Sequence, residues 1–325
     1  MAEPERLSER VSDAAPAVSV IVPVRNRRAL LRNTLDALAA QTFTDYEVVV
    51  VDDGSDDGSD KEAIADAEAG RPVRVVQTGG AGAVAARTAG VEAARGRILA
   101  FTDSDCEPVP VWLEKTVAAI EAGADLAHGP TQPARAMRPL ERSLWSGHEG
   151  LYPTCNIVLR REAFDAVGGF ELRHEARGSG EDTVLGWRVR RRGPVEFVPD
   201  ALVHHAVLPF EWKDALRRTW AVGDFPALAK EVPELRAMPL FRHGVSLGKF
   251  HRLPLYATVA ALSTRRRGLV GLALAWWAWS KMRELREYDA TTAEQLRALP
   301  VEMALDAVTA GALAVGSVRT RTLVI

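Results

Sequence analysis

Cysteine is scarce in this chain. Only Cys106 and Cys155 occur among 325 residues, and they lack any metal-ligand spacing. That pattern fits a reducing compartment in which both thiols are inert rather than bridged. Excess charge is also missing. The 41 Lys and Arg nearly balance the 43 Asp and Glu, and the net charge of -2 gives no reason to expect a nucleic-acid partner. Residues 1–16 are polar and charged and hold no apolar core of a signal peptide, so a disordered tail is expected there. No apolar run reaches about 18 uninterrupted residues, so no clean transmembrane helix is expected. What is present is an ordinary globular composition, 47% hydrophobic and 26% charged, with length for one large or two ordinary domains.

The first 120 or so residues alternate between strand and helix patterns. Val18 to Val22 is apolar and β-branched and stops at Pro23. Arg25, Asn26, Arg27 and Arg28 follow, then a helix with Leu30, Leu31, Leu35 and Leu38 on one face. Glu47 to Val51 is a second strand, running into Asp52-Asp53-Gly54-Ser55, and Lys61 to Ala69 a second helix. Val73 to Gln77 leads into Thr78-Gly79-Gly80-Ala81-Gly82 and an Ala-rich helix over 83–95. Ile98 to Phe101 is a fourth strand, and Trp112 to Glu121 a further helix. Such alternation predicts an α/β fold, a mostly parallel sheet flanked by helices.

The fourth strand ends in two carboxylates one residue apart, Asp103 and Asp105. Asp also suits turns and helix caps, so this pair alone decides little. Ligands of open parallel sheets, however, bind outside the carboxyl ends of the strands. Right-handed crossovers bring every strand exit to one edge. Pro23, Arg25, Asp53, Gly79 to Gly82, Asp103 and Asp105 are therefore expected around one crevice. Two carboxylates there can hold a hard divalent cation, which can hold phosphate oxygens in turn. The segment Gly80-x-Gly82-x-x-Ala85, with Asp103 about 20 residues on, also fits a dinucleotide-binding fingerprint. An NAD(P)- or FAD-dependent oxidoreductase is thus the rival. Against it, a full strand–helix–strand–helix unit precedes the glycines, and the acidic turn at Asp52-Asp53 is left without a role.

Several blocks, in order, carry a family resemblance. They are Val18-Ser-Val-Ile-Val-Pro-Val-Arg-Asn26, Val48-Val-Val-Val-Asp-Asp-Gly-Ser55, Ala85-Ala-Arg-Thr-Ala-Gly90 and Ala100-Phe-Thr-Asp-Ser-Asp105. Asn156-Ile-Val-Leu-Arg-Arg-Glu-Ala-Phe164, Val167-Gly-Gly-Phe170 and Gly180-Glu-Asp-Thr-Val-Leu-Gly-Trp-Arg188 follow. Over about residues 17–230 the chain resembles a family 2 glycosyltransferase with the GT-A fold, a Rossmann-related sheet. Thr88 stands where Asn is more usual, and Cys106 where the last acidic position would be. The resemblance implies inverting, metal-assisted transfer of a sugar from a nucleotide diphosphate donor to an acceptor hydroxyl, with Mn²⁺ or Mg²⁺ as cofactor.

It also implies roles. Pro23, Arg25, Asp53, Gly80, Arg87 and Asp103 would bind the nucleotide sugar, Asp53 at the nucleobase and Asp103 near the ribose or sugar. Asp105 would hold the metal, with His205 as a second contact. Asn156 would lie near the acceptor. Asp182 would be the general base, with Glu181 the second candidate. Asp182 is also a good helix N-cap, and a helix N-terminus is expected to keep it ionised.

Beyond this region the pattern changes. Residues 129–150 are Pro- and Arg-rich and weakly patterned, and are expected on the acceptor side. A tail over 1–16, a catalytic domain over 17–230 and a helical C-terminal extension over 231–325 are expected. In the extension, Leu253 to Leu262 and Gly268 to Trp279 are apolar and flank Arg265-Arg266-Arg267. Core helices explain this. So does a peripheral membrane contact through 253–282, which would put a cytoplasmic enzyme at the inner membrane face beside a glycan or lipid-linked acceptor of the cell-envelope kind. A non-catalytic nucleotide-sugar-binding protein remains an alternative, but it would not need Asp105 and Asp182 together.

Overall fold

The computed structural model describes residues 15–147, 150–170, 180–242, 246–247 and 252–324. The expected disordered tail lies outside the described residues except for its last two positions, as do Gly178 and Ser179.

The chain opens with β1 (Val18–Val24), α1 (Arg28–Ala39), β2 (Tyr46–Asp52), α2 (Ser59–Glu68), β3 (Val73–Gln77), α3 (Ala83–Ala93) and β4 (Ile98–Phe101). Then come β5 (Cys106–Pro108), α4 (Trp112–Glu121), β6 (Leu126–His128), β7 (Thr131–Pro133), β8 (Ile157–Arg160), α5 (Arg161–Ala166) and α6 (Glu181–Arg190). β9 (Val195–Phe197), β10 (Val203–His205), α7 (Trp212–Ala221) and α8 (Phe225–Glu231) complete this part. Seven strands form one sheet in the order β3-β2-β1-β4-β8-β6-β9, in which only β8 runs against its neighbours. β1 and β4 are buried almost throughout, as near-continuous Val and Ile runs require when both faces of a sheet are covered.

Contrary to expectation, β1 does not stop at Pro23. It runs to Val24, pairing Pro23 with Val51 of β2. Alternate residues of β1 face its two neighbours: the Val24 carbonyl accepts from Asp53 on the β2 side, and the Ile21 carbonyl accepts from Thr102 on the β4 side. Pro23 shares the parity of Ile21, so its missing N–H falls where β4 has already ended at Phe101.

A second, three-stranded sheet has the order β5-β10-β7. β5 begins immediately after Asp105, and its pairing sets His205 opposite Cys106. This small sheet therefore carries His205 to the end of β4.

Three C-terminal helices follow, α9 (Arg252–Ser263), α10 (Arg267–Leu285) and α11 (Thr292–Thr320). α9 and α10 form a hairpin, and α11 packs along α7 and α8. Small residues set that crossing: a Cβ on Gly316 would stand 2.0 Å from the Gly223 carbonyl oxygen. A buried ion cluster joins α10 to α11, where Lys281 Nζ lies 3.1 Å from Glu302 and 3.4 Å from Asp306. Although burial opposes it, these carboxylates hold the Lys281 ammonium above its ordinary range. By length and composition α11 is long and apolar enough to cross a membrane, a feature that a count of uninterrupted apolar residues overlooks because Glu302 and Asp306 break the run.

Candidate functional site

The strand exits do converge, and each loop is pinned by side chains of its neighbour. Asp53 is nearly buried and accepts from the Thr78 hydroxyl (2.8 Å) and from the backbone N–H groups of Gly80 (3.0 Å), Ala81 (2.7 Å) and Gly82 (2.9 Å). Burial pushes the carboxyl up, but these four donors outweigh it and hold it below the ordinary carboxylate range. Arg25 stands 4.0 Å away with most of its side chain in solvent. Gly54, at φ +75, lets the two loops touch, since a Cβ there would lie 3.1 Å from the Gly80 nitrogen. The Asp53 carboxylate thus fixes the glycine loop, with Oδ1 taking three of the four donors and Oδ2 one. The same fact weakens the oxidoreductase reading: the N–H groups that a pyrophosphate would need point at Asp53, and the loop follows an edge strand.

A second cluster gathers around Arg87 of α3. Its guanidinium is buried, donates to Asp103 Oδ1 at 2.8 Å, and lies 3.6 Å from Glu181 Oε1. Burial disfavours the charge, yet the carboxylates of Asp103, Glu181 and Asp182 together raise the Arg87 pKa. Asp182 is the opposite case. Desolvation first, and the adjacent charge of Glu181 second, push its carboxyl up to about 7. The expectation that a helix N-terminus would keep it ionised is therefore overturned. Asp182 is not the cap either: Gly180, left-handed at φ 98, takes that place, and Asp182 follows one residue inside the helix. There it accepts from the Thr183 N–H at 2.6 Å. Loss of water outweighs the helix field.

Asp182 forms the floor of a cavity of about 270 Å³, walled by Leu144, Trp145, Leu151, Pro153, Phe225 and Leu228. Trp145, 64% exposed, stands at its mouth and also lines a neighbouring cavity of about 570 Å³ reaching Tyr288 beyond α10. None of these wall residues is legible in the sequence as site-forming, because they come from the weakly patterned 129–150 stretch, from the Leu151–Pro153 segment just after it and from α8.

The third cluster sits at the end of β4. Arg27 Nη1 donates to Asp105 Oδ2 at 2.5 Å, while Asp105 Oδ1 faces His205 Nε2 at 3.6 Å. His205 Nδ1 lies 2.8 Å from the Ala206 carbonyl oxygen. A carbonyl can only accept, so in the neutral ring Nδ1 carries the proton and Nε2 turns its lone pair toward Asp105. Two lone-pair donors facing each other suit a cation between them. The Asp105, Cys106 and His205 donor atoms all lie within 4.8 Å of one another. A hydrogen bond to Cys155, reinforced by burial, pushes the Cys106 thiol up, so Cys106 stays a thiol and an oxygen–nitrogen pair remains. That pair fits a hard divalent cation. Arg27 was passed over in a sequence run holding three arginines; only the fold decides which of them turns inward.

Asn156 ends the short turn that follows Pro153 of the cavity wall, with its side chain in the core. It is fully buried, accepts from Trp112 Nε1 at 2.8 Å, and donates both amide protons, to the carbonyls of Pro130 (2.9 Å) and Ala201 (3.0 Å). It braces the core under the small sheet and has no donor left for an acceptor.

Comparison with known proteins adds to this geometry. The sequence model of glycosyl transferase family 2 matches residues 19–176. Over 231 residues the chain is 31% identical to glycosyltransferase AglE of Haloferax volcanii, covering 66% of this chain and 74% of that one. Over 208 residues it is 32% identical to the pre-mycofactocin glycosyltransferase of Mycobacterium tuberculosis, covering 58% of this chain and 42% of that one. Among solved structures it resembles mannosyltransferase PcManGT of Pyrobaculum calidifontis, in complex with GDP-Man and Mn²⁺. The TM-score is 0.57 at 17% identity, over 95% of this chain and 88% of that one, a likeness of fold.

Proposed function

The chain belongs to glycosyl transferase family 2, and from that premise we propose that it moves a sugar from a nucleotide diphosphate donor to an acceptor hydroxyl in one inverting displacement. The observation that carries the reading is Asp182: a carboxyl raised to about 7, on the floor of a cavity and beside the Arg87–Asp103 pair at the strand exits. A general base works best with a pKa near the operating pH.

In this reading the acceptor enters past Trp145, and Asp182 takes the proton of its hydroxyl. That oxygen bonds to the anomeric carbon as the bond to the diphosphate oxygen breaks, so the configuration inverts. Glu181 keeps the base pKa high, and Arg87 keeps Asp103 and Glu181 in place. Pro23, Arg25 and the Gly80 loop line the nucleotide side, and Asp53 acts there by holding that loop. Asp105 and His205 Nε2 would hold Mn²⁺ or Mg²⁺, with Arg27 orienting Asp105. The cation would supply Lewis-acid charge for the leaving nucleoside diphosphate. A catalytic domain over 17–230 and an extension over 231–325 belong to the same proposal. The relatives' names leave the sugar open, and the acceptor is a glycan, a lipid-linked glycan or a small molecule.

The test is stereochemical. A panel of α-linked nucleotide sugars is offered with Mn²⁺, and the anomeric configuration of the product is read by NMR. A β-linked product is expected. An α-linked product would replace the single displacement with a retaining route.

A further inference from the structure

The helical hairpin of α9 and α10 has an unusual surface. From Arg252 to Arg283 the hairpin holds no Asp or Glu and carries six lysines and arginines, of which Lys281 is buried in the ion cluster, in a chain whose net charge is -2. Three of them, Arg265, Arg266 and Arg267, sit together at the turn between the helices and are exposed. None of the three forms an ion pair among the described residues.

Around them the hairpin tip is apolar on its open surface. Val259 is 62% exposed, Leu262 59% and Leu272 71%, with Leu269 beside them. Farther along α10, Trp276 and Trp279 are exposed on the same helix, while Trp277 is buried against the ion cluster and hydrogen-bonds Asp306. Soluble surfaces rarely gather so many large apolar side chains without a partner. The turn itself is held at Arg265 in a left-handed conformation, φ 55. Glycine adopts that shape without penalty, so arginine there is a choice made against local preference.

Placement matters as well. Just beyond the end of α10, the Asp289 N–H donates to the Met137 carbonyl at 2.9 Å, in the segment that follows β7. Tyr288, next to it, lines the cavity that Trp145 shares with the Asp182 pocket. α10 has 19 residues, so its arginine-bearing end stands about 28 Å from this anchor point. The helix is a strut with the candidate acceptor entrance at one end and a basic, apolar tip at the other.

We propose that the α9–α10 tip, residues 259–272, is a monotopic anchor that inserts among the headgroups of an anionic bilayer. The arginines meet the lipid phosphates, Leu262, Leu269 and Leu272 enter the acyl boundary, and the tryptophans take the interfacial depth. The inference deepens the glycosyl-transfer reading by naming the surface from which the acceptor is presented, and it rests on that reading for this last step alone.

The experiment is sedimentation of the full chain with phosphatidylglycerol-containing and with pure phosphatidylcholine vesicles, at low and high salt. Two exposed-site variants accompany the wild type: the triple change Arg265→Gln, Arg266→Gln and Arg267→Gln, and Leu272→Glu. Wild-type protein is expected to pellet with anionic vesicles at low salt and to be released by high salt or stay free with neutral ones. The triple variant should lose on the order of 100-fold in partition, about fivefold for each arginine. Leu272→Glu should lose binding with all three arginines present.

Wild-type protein left in the supernatant with anionic vesicles at low salt overturns the anchor. So does resistance of the bound protein to alkaline carbonate, which would assign a spanning helix. So does a concentration-dependent dimer that Leu272→Glu dissociates, since a second copy would then cover the tip. Nucleotide-sugar binding is measured in parallel by thermal shift. If that shift is absent while vesicle binding stands, the glycosyl-transfer reading fails and the anchor does not.

Discussion

Replacing Asp182 by asparagine keeps the shape of the side chain and removes its titration. Two outcomes follow, and they point in opposite directions. Turnover should fall by roughly 10²–10⁴, the usual worth of a general base, with donor binding unchanged. Wild-type kcat/KM should rise with pH to a plateau, with its midpoint near the Asp182 value of about 7, and the variant should lose that limb. Stability should move the other way. The native carboxyl keeps its proton between the ordinary 3.8 and about 7, whereas the unfolded chain has released it. Wild-type stability therefore falls as pH rises through that window, by at most about 4 kcal/mol, since one edge of the side chain meets the open cavity. Asp182→Asn lacks this loss, so at pH 8 it should melt above the wild type, with the gap closing as pH falls toward 4. Equal melting at pH 8 would mean that Asp182 is solvated and its pKa ordinary. The sequence showed a carboxylate at a helix start and no more. Its direction of shift came first from desolvation, which no motif reports, and then from the charge of the adjacent Glu181.

At the scale of elements, the C-terminal extension is joined to the rest by α11 crossing the segment between α7 and α8. Gly316 is the point of closest approach, where an added Cβ would meet the backbone of Gly223 at 2.0 Å and Pro226 at 3.2 Å. A backbone atom cannot swing aside as a side chain can. Gly316→Val is expected to cost 1–3 kcal/mol or more in chemical denaturation, as overpacking of a close contact does. Gly311, one helical turn and a half earlier with nothing within 4 Å of its Cβ, is the control. Gly311→Ala should be neutral or slightly stabilising in the same measurement. Strands were legible for the reason that makes them strands: Val73–Gln77, with three valines, and the apolar Ile98–Phe101 are found at their expected bounds because turn residues close each short run. β1 passes through Pro23 because its β4 neighbour ends first, a tertiary fact that no local pattern carries.

For the molecule as a whole, the prediction is a ligand-dependent shift in melting temperature. A nucleotide diphosphate sugar with Mn²⁺ at a hundred times its dissociation constant should stabilise the native state by about 2.7 kcal/mol. Leaving out the cation should shrink the shift, and Asp105→Ala should erase the cation-dependent part. NAD(P) and FAD should produce none. A full shift in excess EDTA would remove the metal from the proposal, and a shift with NAD(P) alone would revive the dinucleotide reading of the glycine loop.

Order along the chain was enough to determine the α/β class, the family resemblance and the edge of the sheet at which Asp53, Asp103 and Asp105 emerge. The class and the sheet edge follow from periodicity and handedness, which are local or nearly so, and the resemblance from the ordered motif blocks. Tertiary structure alone decided what each group does there. Asp53 accepts from three backbone N–H groups 27–29 residues away, and Asn156 is locked between carbonyls 26 and 45 residues away. Arg27 rather than Arg25 reaches Asp105, across 78 residues. Desolvation and hydrogen-bond partnership depend on which distant segments close over a side chain, and no local pattern encodes that closure.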